Sequence, residues 1–149
     1  GNRQEEILMS DKIITQLSIF VNNEPGSLAS MARVLKECNI NLKAFNIAES
    51  AGFGVFRAIA DNPDEACKTL KARNIVVKPT EVVAVSVSDH PGSLFDVAKV
   101  LGDANINIEY GYAYSGPQGP VIFLRVDDPV AAVDALKKAK MKVLGTKDI

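Results

Sequence analysis

The sequence predicts an α+β protein made of two small sandwiches in tandem, each ordered strand, helix, strand, strand, helix, strand. Three observations carry that expectation. The 149 residues match themselves at a single offset of 66 positions, without a gap. Apolar residues alternate with period two in some segments and recur at i, i+3, i+4, i+7 in others. Gly, Pro and Asn punctuate those segments at the same places in both halves.

The repeat is explicit. Pro25-Gly26-Ser27-Leu28 returns as Pro91-Gly92-Ser93-Leu94, and Asn39-Ile40-Asn41 as Asn105-Ile106-Asn107. Asp61 and Pro63 return as Asp127 and Pro129, and Leu70-Lys71 as Leu136-Lys137. Two copies are too few for a solenoid. Two related domains are therefore expected, at 13–79 and 80–149, behind a polar N-terminal arm at 1–12 in which Met9 is a candidate start.

Each element follows from its residues. Leu17, Ile19 and Val21 alternate with Ser18 and Asn22, which makes a half-buried strand that Pro25-Gly26 breaks. Leu28, Met31, Ala32 and Leu35 then form one apolar helix stripe, matched by Leu94, Val97, Ala98 and Leu101. Asn39 and Asn105 end those helices, because Asn tolerates the left-handed conformation of a helix C-terminus. Second strands are expected from Ile40 to about Glu49 and from Ile106 to about Tyr114. Hairpins at Gly52-Phe53-Gly54 and Gly116-Pro117-Gln118-Gly119 lead into third strands, Val55 to Ala60 and Val121 to Val126.

Asn62 and Asp128 stand at the N-cap of the second helices, each followed by Pro at the first helical position. Asp64 and Glu65 add charge that suits the positive end of the helix dipole. Ala66 and Leu70, with Ala132 and Leu136, supply the buried faces. Val76-Val77 and Met141 to Leu144 make the last strands, and Pro79-Thr80 reads as a short linker. This order is the ferredoxin-like βαββαβ sandwich, an antiparallel sheet with both helices on one face.

Composition excludes several functions. Hydrophobic residues make up 47% and charged residues 23%, so a core forms without staples and disorder is not expected. The net charge is −1, with 10 basic and 9 acidic residues in 1–80 and 7 and 9 in 81–149. Neither half is a basic face, so no nucleic-acid partner is expected. No apolar run approaches the ~18 residues of a membrane helix, and the first residues lack the apolar core of a signal peptide. The expected compartment is the cytoplasm. Cys38 and Cys67 read as small apolar helix residues, buried free thiols, and His90 is the only histidine. No metal, cofactor or catalytic residue is expected, because no zinc spacing, nucleophile elbow or other nucleophile–base pairing is present.

Both first loops share a pattern: Asn23-Glu24-Pro25-Gly26-Ser27-Leu28 with Asn39-Ile40-Asn41, and Asp89-His90-Pro91-Gly92-Ser93-Leu94 with Asn105-Ile106-Asn107. On a ferredoxin-like frame this resembles the ACT domain, over residues 13–146. The resemblance implies a non-catalytic regulatory module that binds a small ligand, typically an amino acid. It also implies domains that pair, with ligands between the first loop of one and an edge strand of its neighbour. Some similar chains are regulatory subunits of amino-acid biosynthetic enzymes such as acetolactate synthase. An assembly module of that kind, binding no ligand itself, is the alternative.

Carried over by position, the ligand residues are Asn23, Glu24, Gly26, Ser27, Leu28 and Asn41 in the first copy. In the second they are Asp89, His90, Gly92, Ser93, Leu94 and Asn107. Gly26 and Gly92 let a ligand approach backbone amides at a helix N-terminus, where a carboxylate is favoured. Asp89 suits an α-ammonium, whereas Asn23 offers an amide oxygen, so the second site is the stronger expectation. The plainer reading has Pro-Gly as a turn, Ser27 and Ser93 as caps, and His90 as an exposed loop residue.

Tyr110, Tyr112 and Tyr114 project from one face of one strand, where the first copy has Ala44, Asn46 and Ala48. They are either sheet core or an interface or ligand wall. A homodimer is expected from the sheet edges that small sandwiches leave unpaired.

Overall fold

Ten residues, Ile13–Asn22, form the first strand, β1, of the computed structural model, which describes residues 11–149. Met9 and the arm up to residue 10 lie outside the described residues. The chain divides into two units, Thr15–Thr80 and a second made of 11–14 with Glu81–Ile149. The first boundary falls inside β1 and the other inside β4, Val77–Ser86.

In the first unit β1 is followed by α1 (Ser27–Glu37), β2 (Leu42–Ser50), β3 (Phe53–Ala60) and α2 (Pro63–Ala72). The sheet runs β2-β3-β1, all antiparallel, with Leu17 opposite Ala58 and Ala58 opposite Phe45. The start of β4 adds to it, Ser18 Oγ lying 3.0 Å from Thr80 Oγ1. Leu17, Ile19, Phe56 and Ala58 pack against Met31 and Leu35 of α1 and against Ala66, Cys67 and Leu70 of α2. Both helices therefore cover one face.

The second unit repeats the plan with the rest of β4, then α3 (Ser93–Asp103), β5 (Ile108–Gly116), β6 (Gly119–Val126), α4 (Pro129–Lys138) and β7 (Lys142–Leu144). Its sheet order is β5-β6-β4-β7. Val83, Val85, Leu124 and Val126 meet Val97 and Leu101 of α3 and Ala132, Val133 and Leu136 of α4. Each unit is a ferredoxin-like sandwich.

The second helices begin as their residues dictate. Asn62 Oδ1 accepts from the Glu65 N–H at 3.3 Å and Asp128 Oδ1 from the Ala131 N–H at 3.1 Å. Caps of this kind stabilise by about 1 kcal/mol each. Among the described residues all four α-helices end alike. A left-handed residue (Asn39, Asn74, Asn105 or Lys140) is followed by an apolar one whose N–H reaches back to the helix, as Ile40 does to Leu35 O at 2.9 Å. The left-handed residue's own N–H bonds back as well, Asn39 to Lys36 O at 3.1 Å, so two hydrogen bonds satisfy orphan carbonyls of the last turn.

That motif explains one departure from expectation. β2 and β5 begin at Leu42 and Ile108, two residues later than their patterns suggest, because the N–H groups of Ile40 and Ile106 still serve the preceding helices. A second departure is Pro79-Thr80, which lies inside β4 and is not a linker. Proline's φ suits extended backbone wherever no ladder donor is needed. The first hairpin turns on Ala51-Gly52, both at positive φ, between paired Ser50 and Phe53, so Phe53 and Gly54 belong to β3. Two left-handed residues in a two-residue loop match the twist of the flanking strands.

The helix stripes are also narrower than their periodicity implies. Met31 and Leu35 are buried, but Leu28 and Ala32 are exposed, and Leu94 is 62% exposed. Cys67 is buried in the core, whereas Cys38 is half-buried at the end of α1, 3.5 Å from an Arg73 guanidinium nitrogen. Both are free thiols.

The end of the chain is tied down by Asp148. Its Oδ2 accepts from the Gly145 N–H at 2.7 Å and from Lys12 Nζ at 3.0 Å. The Gly145 bond first, and Lys12 second, hold this carboxyl below the usual carboxylate range. A depressed folded-state pKa contributes stability above the unfolded value, near ~4, which is lost as the pH falls through the folded value. Asp148→Asn is therefore expected to destabilise the chain in urea melts at pH 7, and to differ progressively less from wild type as the pH is lowered below 4. An equal difference at both pH values would show that the charge is not involved.

Candidate functional site

The first loop, Asn23 to Gly26, leaves β1 at the hairpin end of the sheet, where Asn22 pairs with Phe53. Gly26 takes φ +90 as the N-cap of α1, and no side chain caps that helix. The Ser27 N–H donates to Glu24 O at 3.2 Å, and the first bond within the helix is Ser30 N–H to Gly26 O. Leu28 and Ala29 therefore sit in the first turn, where an N–H has no carbonyl four residues back inside the helix.

Beside this loop lies a groove of about 330 Å³. Its polar end is Asn22, Asn23, Glu24 and Glu49, and its apolar walls are Leu28, Ile47 and Phe56. Leu28 is 44% exposed and Ile47 47%, large apolar side chains standing open to solvent. The groove thus joins hydrogen-bonding groups, acidic side chains and an apolar surface, the three features that an amphiphilic small molecule meets.

The matching loop of the second unit is built the same way, with Gly92 at φ +97. The cleft there holds about 210 Å³ and lies on the other side of the helix start, between the end of β4, α3 and Lys140 to Lys142. His90 and Ser93 line it, but Asp89 does not. The position of Ile47 is taken by Ala113 in this copy, so that part of the first unit's apolar wall is reduced to a methyl group. The first loop thus adjoins the larger of these two hollows.

Ser27 and Ser93 are not caps. Ser93 Oγ instead donates to the Ser88 and His90 carbonyls, closing the loop on itself. His90 is exposed, with Nδ1 2.8 Å from the Pro91 carbonyl oxygen.

Asn41 and Asn107 lie at the far end of their sheets. Leu42 pairs with Ala60, whereas the loop at Asn23 adjoins Phe53, so Asn23 and Asn41 are roughly 25 Å apart along the strand direction. Asn41 Nδ2 donates to Asp61 Oδ2 at 2.9 Å, and the Asn107 N–H donates to Asp127 Oδ1 at 3.1 Å. Within a unit these residues brace the strand against the end of its neighbour. Their partners, Asp61 and Asp127, were visible in the repeat, but nothing in the sequence linked them to Asn41 and Asn107.

The tyrosines form part of the packing on the helix-free face of the second sheet. Tyr112 and Tyr114 stand 5.4 and 5.7 Å, ring centre to ring centre, from the fully buried Phe123. Tyr114 also lines a second cleft of about 330 Å³ with Ser86, Lys142 and the last residues of the chain. Sequence reasoning missed it. Its signal was Ser86, which stands where the first copy has Phe20. Among the described residues no three His, Cys, Asp or Glu side chains are placed to hold a metal ion, and no helix is long and apolar enough to cross a membrane.

Two ferredoxin-like units with matching glycine-capped loops define a tandem-repeat α+β protein. The family model described as an ACT domain pair matches residues 12–149, and the chain belongs to that family. It is similar to a crystal structure of a protein from Bacteroides thetaiotaomicron, at 36% identity, 92% coverage of this chain, 95% of that chain and a TM-score of 0.84. The regulatory subunit of aspartate kinase from Thermus thermophilus shares the fold at 17% identity, covering 84% of this chain and 91% of that one, with a TM-score of 0.59. The aspartate kinase of Clostridium acetobutylicum does so at 16% identity over 85% of this chain and 33% of its own, with a TM-score of 0.53. No curated protein matches at a significant level.

Proposed function

We propose that this protein is a non-catalytic regulator that binds an amino acid with an apolar side chain in the groove of its first unit. The observation that carries the reading is the meeting of Asn23, Glu24 and Glu49 with the exposed apolar walls Leu28 and Ile47 at the start of α1. The first-turn amides take the carboxylate, helped by the helix dipole, and Gly26 leaves the approach open. Glu24, Glu49 and the Asn23 amide oxygen take the ammonium, and the side chain lies on Leu28, Ile47 and Phe56. Binding favours the conformations in which the groove is formed, and a partner enzyme reads that shift, with a coupling of about 1–3 kcal/mol. The Thermus thermophilus likeness, named as a regulatory subunit, supports a separate amino-acid biosynthetic enzyme as the partner.

The test is a thermal-shift screen of the full chain against the common amino acids. A ligand at about 100 times its Kd stabilises by about 2.7 kcal/mol, several degrees for a chain of this size. A rise confined to apolar amino acids, and lost in Leu28→Glu, is the expected result. That variant places a charge in the groove from an already exposed position and leaves the cores untouched. If no amino acid raises the melting temperature, ligand binding is wrong and the assembly reading replaces it.

A further inference from the structure

The cleft that Tyr114 lines on the helix-free face of the second sheet takes no part in the binding proposed above. Every residue around it belongs to the second unit. Its floor is one row across four strands: Tyr114 stands opposite Val121, Val121 opposite Ser86, and Ser86 opposite Lys142. At about 4.8 Å per strand that row is roughly 14 Å long. Val121 and Leu144, both buried, make the floor apolar. The hairpin after Tyr114 closes one end, and Lys147, in the 3-10 turn Thr146–Asp148, stands at the other.

The repeat shows what opens this cleft. Ser86 stands where the first copy has Phe20, whose ring meets Phe53 edge-on at 5.7 Å. Tyr114 replaces Ala48, and Lys142 replaces Val76. The second copy thus loses a ring from the floor and gains a phenol at one end and a cation at the other. Tyr114 Oη lies over the hairpin, where a Cβ added to Gly116 would meet it at 3.1 Å. Among the described residues neither Ser86 Oγ nor Tyr114 Oη takes part in a hydrogen bond, and neither Lys142 nor Lys147 in an ion pair. Asp148, on the rim, is already engaged by the Gly145 N–H and by Lys12, and Lys142 adds the weakest of its attractions. Two lysine charges therefore stand beside an apolar floor with no carboxylate of their own. Such a cleft suits an anionic head on a short apolar body.

We propose that this cleft is a second small-molecule site, taking an organic acid whose carboxylate or phosphate sits at Lys142 and Lys147. The body of the ligand lies along Val121 and Leu144 and points towards Tyr114. A volume of about 330 Å³ admits a body the size of a hexyl chain. The site stands apart from the groove of the first unit and does not depend on what that groove binds.

Amide NMR of the isotope-labelled full chain tests it, with hexanoate, hexyl phosphate and the neutral hexanol as probes. At least one of the two anions is expected to shift the amides of Ser86, Val121 and Lys142 saturably, with a Kd of about 1 mM, and hexanol to leave them in place. Tighter binding of one anion identifies the head group and supports the site either way. Lys142→Glu combined with Lys147→Glu is expected to weaken binding about tenfold. Ser86→Phe, which restores the first copy's residue, is expected to abolish it. The charge variant alters only exposed side chains, so it decides the matter even where Ser86→Phe fails to fold. Equal shifts with hexanol overturn the proposal, as does the absence of a saturable shift with either anion. Binding that survives the charge variant unchanged also overturns it. So do shifts confined to Leu28 and Ile47, which would place these acids in the first unit's groove. The amino-acid screen is read separately by melting temperature, so the failure of one leaves the other standing.

Discussion

Replacing Phe123 with alanine is expected to cost about 3–5 kcal/mol of stability and to lower the melting temperature by on the order of 10 °C. Phe123 is fully buried, yet it is not among the residues beneath the helices, because its neighbours Ile122 and Leu124 occupy that face. It packs instead on the helix-free face, directly opposite Tyr112 in the ladder and against Tyr114. Tyr112→Ala removes a half-buried ring and one aromatic contact, so its cost should be clearly smaller. Urea melts of the two variants check this. A loss below about 1 kcal/mol for Phe123→Ala would mean that the tyrosine face is not packed as described.

Gly26→Val and Gly92→Val are expected to cost about 1–3 kcal/mol each. The space around both glycines is open, with no atom within 4 Å of an added Cβ, so crowding has no part in it. The cost comes from φ values of +90 and +97, which a β-branched residue adopts only under strain. Gly102 supplies the control. It also has nothing near an added Cβ but lies inside α3 with ordinary φ, so Gly102→Ala should stabilise by about 0.5–1 kcal/mol. Chemical denaturation of the three variants gives opposite signs if backbone conformation is the cause. The same sign in all three would remove the argument that these loops need glycine. Gly26→Val should also weaken any ligand that uses the first-turn amides.

Much of the fold was legible because its signals are local. Asn62 and Asp128 cap where an oxygen followed by Pro belongs, and Asn39 and Asn105 turn left-handed where the periodicity stops. These depend on neighbours a few residues away, and the repeat states each of them twice. The late starts of β2 and β5 share one cause. Ile40 and Ile106 look like strand residues, but their N–H groups complete the helix before them. Pro79-Thr80 looks like a break, but a strand accepts proline where no donor is called for.

The candidate site was less legible. The first loops were recognisable from Pro-Gly and the residues around it, and the structure places Asn23, Glu24, Ser27 and Leu28 on one groove. Ile47, Phe56 and Glu49 complete it from β2 and β3, 19 to 33 residues away, and no spacing in the chain announces that meeting. Asp89 looked the better ammonium partner as a residue type, but it does not line the cleft beside its loop.

The amino-acid sequence by itself determined the two-fold repeat, the βαββαβ order, the helix caps and the glycine loops, since each follows from short-range backbone preference and periodicity. Only the tertiary structure decided that Leu28 faces a groove instead of the core, that Asn41 is held by Asp61, and that Phe45 and Ile47 stand open on an edge. Those outcomes depend on which strands become neighbours and how far the helices reach across the sheet. Both are set by packing between segments distant in the chain, where local preference has no say.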